Sequence, residues 1–233
     1  MPGSLVLEGG AEFGGRMADV DRQALSLAGG VQAPVVILPT AAAPDHNHQH
    51  AGNNGLHWFR SLGATNISLA MVIDQVSANN PENARAVRSA LLIYLLGGFP
   101  AYLEQTLRGS SVWAAALEAY QSGAVIAGSS AGAMVLCEDY FDPGTGQTRP
   151  GLGLLPRTCV IPHHNTFGQQ WAGKLRARLP QSILLGIAEQ TGIVSQAGEQ
   201  STWTVYGGGE VTVYFPLSSR VFRPKDEFKL PAD

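Results

Sequence analysis

The run Ala124-Val125-Ile126-Ala127 leads directly into Gly128-Ser129-Ser130-Ala131-Gly132, and a helix-compatible stretch, Ala133–Glu138, follows. In a strand-to-helix elbow the central residue takes a strained backbone, and the residues two before and two after it must be tiny, so G-x-S-x-G has a steric cause. Ser130 is thereby the candidate nucleophile. A helix beginning behind it brings the positive end of a dipole, and the Ala131 N–H can face a developing oxyanion. The competing reading is a glycine-rich turn with Ser129 or Ser130 as a helix N-cap.

A serine hydroxyl needs a base. The chain has six histidines, and the pair His163-His164 follows an expected strand end in Val160-Ile161-Pro162-His163-His164-Asn165. That edge of an α/β sheet is where sites assemble, so one of the two is the candidate base. The orienting acid is Glu189, at another strand-end turn, or Asp139 or Asp142 shortly after the elbow helix. Gly97-Gly98 is a second place where backbone N–H groups can approach a ligand, and the Gly98 N–H is the candidate second oxyanion donor.

These residues need a scaffold. Short apolar runs recur at Ser4–Leu7, Val35–Leu38, Asn66–Met71, Leu92–Leu96, Ala124–Ala127 and Cys159–Ile161. They are continuous rather than alternating, as in strands buried on both faces. Helical spacing fills the gaps at Met17–Ala28, Gly55–Leu62, Pro81–Ala90, Ala101–Arg108, Ser111–Gln121 and Gln169–Leu179. Pro81 after Asn80 suits a first helical position, and Gly29-Gly30 suits a stop. After Leu185, Ile193–Ser195, Thr202–Tyr206 and Glu210–Phe215 alternate between glycine-rich turns, which predicts an antiparallel hairpin on the edge of the same sheet. One domain over residues 1–233 is expected, with a loosely held polar tail at about 223–233.

Composition narrows the function classes. With 233 residues, 45% hydrophobic and 14% charged, the chain can bury about 70% of its unfolded surface. Disorder is excluded. A net charge of −3 offers no basic stripe, so nucleic acid is not an expected partner. Cys137 and Cys159 form no Cys-x-x-Cys and read as reduced, buried thiols. The apolar stretch at the N-terminus stops at Glu8-Gly9 without a positive flank, and no run approaches membrane-spanning length, so a cytoplasmic protein without a membrane partner is expected.

Taken together, the motifs resemble those of the dipeptidase E and cyanophycinase family of serine peptidases, which share the class I glutamine amidotransferase-like fold. The marks span nearly the whole chain: Gly9-Gly10, Leu38-Pro39-Thr40-Ala41, Gly97-Gly98, Gly128-Ser129-Ser130-Ala131-Gly132-Ala133, Gly151-Leu152-Gly153-Leu154-Leu155, His164, and Gly186-Ile187-Ala188-Glu189-Gln190-Thr191. The resemblance implies a three-layer αβα sandwich with a mostly parallel, flavodoxin-like central sheet. It implies Ser130 as nucleophile, His164 rather than His163 as base, and Glu189 as acid, with Asp142 the second choice. Amidotransferases carry Cys at the elbow centre; Ser here points to peptide hydrolysis. The implied activity is that of an exopeptidase on small peptides, acting through an acyl-enzyme without cofactor or metal. Assembly with further copies of the chain stays open.

Departures bear on the substrate. Where relatives have Gly-Gly-Asn this chain has Gly98-Phe99-Pro100, and the dipeptidase branch's carboxylate-reading arginine is replaced by Trp171. Cyanophycinases have an arginine where this chain reads Asn165-Thr166-Phe167-Gly168, so cyanophycin specificity is the alternative rather than the expectation. Phe99, His163, Asn165 and Trp171 are the expected substrate contacts, and Lys174, Arg176 and Arg178 are cations that could hold a peptide carboxylate or simply solvate a helix face. His46, His48 and His50 alternate, and an extended segment would put them on one face as zinc ligands; solvated loop residues are the plainer reading, and no metal is expected. Two rivals remain, an α/β-hydrolase-type esterase, for which the HGGG-type loop is missing, and a silent binding domain that keeps the elbow as a turn.

Overall fold

Segments that are apolar at every position need cover on both faces. In the computed structural model, which describes residues 1–231 and only the backbone of Glu199 and Gln200, they receive it. Five adjacent parallel strands run through the main sheet to its β3 edge: β1 (Leu5–Glu8), β2 (Val35–Leu38), β3 (Ile67–Leu69), β4 (Leu92–Leu95) and β5 (Val125–Ser129). Successive residues part to opposite sides. Leu5, Leu7, Val36, Leu38, Ile93, Leu95 and Ile126 enter one apolar core, and Val6, Val35, Ile37, Leu92, Tyr94, Val125 and Ala127 enter the other.

Helices α1 (Met17–Leu27) and α2 (His48–Ser61) cover the second core through residues such as Val20, Leu25 and Phe59. Helices α3 (Gln75–Ala78), α4 (Pro81–Arg88), α5 (Pro100–Leu107), α6 (Ser111–Gln121) and α7 (Ala131–Leu136) cover the first. Asn80 caps α4 by accepting from the Glu82 N–H at 2.7 Å, with Pro81 at the first helical position as its sequence predicts.

The rest of the chain departs from the expectation. A hairpin, β6 (Asp139–Asp142) with β7 (Gln147–Pro150), follows α7. Next come β8 (Thr158–Ile161), α8 (Ala172–Arg178), β9 (Ile183–Ile187), β10 (Thr191–Gln196), β11 (Glu199–Gly207), β12 (Val211–Tyr214), β13 (Ser219–Phe222) and β14 (Glu227–Lys229). The main sheet runs β14-β11-β10-β1-β5-β4-β2-β3, so the hairpin β10–β11 extends it antiparallel beyond β1, with β14 outermost. The strand at Cys159–Ile161 and the one at Glu210–Phe215 instead belong to a separate sheet, β13-β12-β9-β8. Both alternation and apolar runs satisfy either sheet equally, which is why spacing did not separate them.

The tail is not loose through its whole length. Strand β14 pairs with β11, and Phe228 and Leu230 are buried; the last two residues of that segment lie outside the described residues. Among the described residues no helix is long and apolar enough to cross a membrane.

Candidate active site

Strand β5 ends at Ser129, and α7 begins at Ala131. Ser130 between them adopts φ 48°, ψ −109°, the left-handed strain of an elbow in a residue that carries a side chain. The flanking glycines are steric necessities: a Cβ on Gly128 would stand 2.5 Å from the Gly132 carbonyl carbon, and one on Gly132 would stand 2.2 Å from the Leu95 carbonyl oxygen. The Ser130 N–H donates to the Glu8 carbonyl at 3.0 Å, tying the elbow to β1. Although Ser130 is the N-cap residue of α7, its hydroxyl makes no capping bond. It lies 3.1 Å from His163 Nε2 instead.

The other ring nitrogen, His163 Nδ1, lies 2.7 Å from Glu189 Oε1. Glu189 is set by its turn: its N–H donates to Asn165 Oδ1 at 2.8 Å, and the Thr166 hydroxyl lies 3.3 Å from the same carboxylate oxygen. Phe167 stacks on the His163 ring with centroids 4.7 Å apart. Serine, imidazole and carboxylate thus form one continuous line, with the imidazole clamped at both nitrogens and on one face.

His164, the base implied by the resemblance, is elsewhere. Its N–H donates to the Ile187 carbonyl, its ring fills the space above Gly186, and its Nε2 lies 2.9 Å from the Tyr214 hydroxyl. Burial holds its pKa below the ordinary histidine value. His163 has φ 49°, and the two adjacent rings go to different places, His163 against Gly10 and His164 against Gly186. Asp142, the second-choice acid, is also engaged elsewhere, by Arg149 at 3.0 Å, Thr145 Oγ1 at 2.8 Å and the Gly144 N–H at 3.0 Å.

Of the remaining expected contacts, Phe99 is 48% exposed at the start of α5, next to Gly98. Asn165 holds the Glu189 backbone, and Trp171 packs on Phe141 and Phe167. Lys174 and Arg178 donate to the Gly146 carbonyl, and Arg176 lies over the Tyr214 ring. His48 and His50 lie in α2, where residues two apart do not share a face, so the extended zinc-ligand arrangement does not form. Among the described residues no group of three or more potential ligands gathers.

The expected oxyanion donors lie at the start of α7 and in the loop after β4. Ala131 is the first residue of α7, where an N–H has no intrahelical acceptor. Gly98, with φ +138°, presses against the Ala41 carbonyl, and the next N–H, of Phe99, donates to that carbonyl at 2.8 Å.

A family profile, Peptidase family S51, matches residues 5–202. The chain belongs to this family, that of dipeptidase E and cyanophycinase. Family S51 membership makes it a peptidase and so a hydrolase. Among solved structures it is similar to a peptidase from an acI-B1 Actinobacterium, at 30% identity and a TM-score of 0.86, covering 99% of this chain and 98% of that one. It is also similar to a putative peptidase E protein from Listeria monocytogenes EGD-e, at 18% identity and a TM-score of 0.64, covering 90% of this chain and 100% of that one; that likeness speaks to the fold. None of the curated proteins matches significantly.

One carboxylate of this S51 site escaped the sequence reading. Glu12, in the loop after β1, accepts from Ser129 Oγ at 2.8 Å and from the Gly97 N–H at 3.3 Å. Behind it lie two further carboxyls, fully enclosed. Glu8 receives the Tyr94 hydroxyl at 2.5 Å, and Asp21 receives the Trp58 indole N–H at 2.7 Å. Burial, and then the charge of Asp21, push Glu8 well above the usual carboxylate range, and burial pushes Asp21 up to about 7. An acidic residue inside a strand otherwise built of Leu and Val was the signal available in the sequence.

Proposed function

We infer that this S51 peptidase is a serine exopeptidase of small peptides working through Ser130, His163 and Glu189. The single observation that carries the reading is the unbroken line from Ser130 Oγ through both nitrogens of His163 to Glu189. Glu189 fixes the ring so that Nδ1 carries the proton and Nε2 is left with its lone pair toward Ser130. Ser130 Oγ attacks the scissile carbonyl carbon while its proton passes to His163 Nε2. The resulting oxyanion takes hydrogen bonds from the Ala131 and Gly98 N–H groups. As the tetrahedral adduct collapses, the C–N bond breaks and the proton on His163 goes to the departing amine. Water, deprotonated by the same nitrogen, then cleaves the acyl-serine ester and restores the hydroxyl.

Nothing in this sequence of steps calls for a cofactor. The test is a fluorophosphonate probe together with a panel of dipeptides and N- or C-blocked peptides read by mass spectrometry. Labelling confined to Ser130, and loss of peptide cleavage by several orders of magnitude in Ser130→Ala, are expected. Undiminished cleavage by Ser130→Ala would overturn the mechanism.

A further inference from the structure

Resting on that reading of Ser130, we propose that Glu12 is the residue that selects a free amino terminus, so that the enzyme reads its substrate from the amine end. The point where a Cβ on Gly97 would stand is 2.9 Å from Glu12 Oε1 and 3.3 Å from Ser130 Cβ, so carboxylate and nucleophile flank one glycine. Both partners of Glu12, the Ser129 hydroxyl and the Gly97 N–H, are neutral donors, and among the described residues no basic side chain forms an ion pair with it. A carboxylate held by two neutral donors keeps acceptor capacity for a further donor.

Glu12 also lines a cleft of about 410 Å³ with Phe13, Asn54, His57, Trp58 and Ser61, on the side away from Ser130, which does not line it. In a peptide whose first carbonyl is attacked by Ser130, the α-ammonium is two bonds from the reacting carbon. It therefore falls beside the nucleophile, where Glu12 can take a charge-assisted hydrogen bond from it. The same charge disfavours a substrate α-carboxylate at that position. N-terminal residues would be released one at a time, and dipeptides would be cut with the amine at Glu12.

Matched dipeptides with free and N-acetylated amino ends test this, with fluorophosphonate labelling of Ser130 run in parallel. The wild type is expected to favour the free amine by about 10- to 100-fold in kcat/KM. Glu12→Gln is expected to lose that preference, chiefly through KM on the free peptide, and Glu12→Asp is expected to recover part of it. Equal cleavage of both peptides by a wild type that labels, or a preference that survives in Glu12→Gln, would overturn the assignment while leaving the peptidase reading intact. Loss of labelling in Glu12→Gln would also overturn it, because Glu12 would then act by supporting the elbow. A wild type that neither labels nor cleaves would overturn the peptidase reading, and the assignment with it.

Discussion

The His163 ring occupies the space that a side chain on Gly10 would need: a Cβ there would stand 2.4 Å from His163 Cε1 and 2.5 Å from Nε2. The loop after β1 therefore forms the floor on which the imidazole rests. The His163 N–H also donates to the Gly9 carbonyl, at 2.7 Å, so backbone and ring are fixed by the same loop.

Gly10→Ala follows directly. Gly10 has φ +103°, and an added methyl would push the ring away from Ser130. A displacement of about 1 Å is enough to cost about 10²-fold in turnover. Steady-state kinetics alongside a melting curve would check it: kcat falls in a protein that still melts cooperatively. Wild-type kcat would mean that the ring position does not matter.

The two adjacent histidines give a sharper contrast. His163→Gln removes the group proposed to accept the Ser130 proton, and a drop of about 10²- to 10⁴-fold in kcat/KM is expected. His164→Gln disturbs a buried bond to Tyr214 and costs about 1–3 kcal/mol of stability, with turnover close to wild type. Denaturant midpoints and kcat/KM measured on both variants decide the matter. The reverse pattern would restore His164 as the base.

Why the resemblance pointed to His164, when His163 is the ring that reaches Ser130, is a matter of distance along the chain. Both histidines follow β8, and the motif around them is symmetrical enough to shift by one. What separates them is Gly10, under the ring of His163, and Gly186, under the ring of His164; the two glycines come from unrelated segments. The elbow was legible because its motif is local, Gly128 meeting Gly132 across Ser130 within five residues, even though Gly132 also faces the Leu95 carbonyl of β4. The central strands were legible for the same reason, through burial at every position from Leu92 to Leu95. The second sheet was not, since β8 and β9 have the same apolar texture as β1 and β5. Glu12 gave no signal at all, being a polar residue in a glycine-rich loop whose partners, Gly97 and Ser129, come from two other strand ends.

The choice between the acids is equally open to test. In Glu189→Gln the amide can donate to His163 Nδ1, which places the ring proton on Nε2, facing Ser130 with no lone pair to offer. A loss of about 10²- to 10⁴-fold in kcat is expected. Asp142→Asn loses the ion pair with Arg149 in the β6–β7 hairpin and leaves kcat unchanged. Should Asp142→Asn abolish turnover while Glu189→Gln retains it, the assignment of the orienting acid would fall.

The buried carboxyls predict a dependence of stability on pH that ordinary surface acids do not. Asp21 ionises near the ordinary aspartate value of 3.8 when unfolded and at about 7 when folded. Below the lower value both states are protonated and the group contributes nothing to the slope. Between the two values the folded state holds a proton that the unfolded state has released, so stability falls as pH rises; above about 7 the loss is complete and the curve flattens. Glu8, raised by burial, acts in the same direction. From pH 5 to pH 7 Asp21 alone is expected to cost up to about 3 kcal/mol. Asp74 and Glu118, which are held below the ordinary carboxylate range, contribute the opposite sign, and only in more acid solution. Asp21→Asn keeps an oxygen for the Trp58 indole N–H and removes the charge. Urea midpoints taken at pH 5, 6, 7 and 8 are expected to decline for the wild type and to decline less for the variant. Parallel curves for the two proteins would show that Asp21 is not forced to ionise inside the fold.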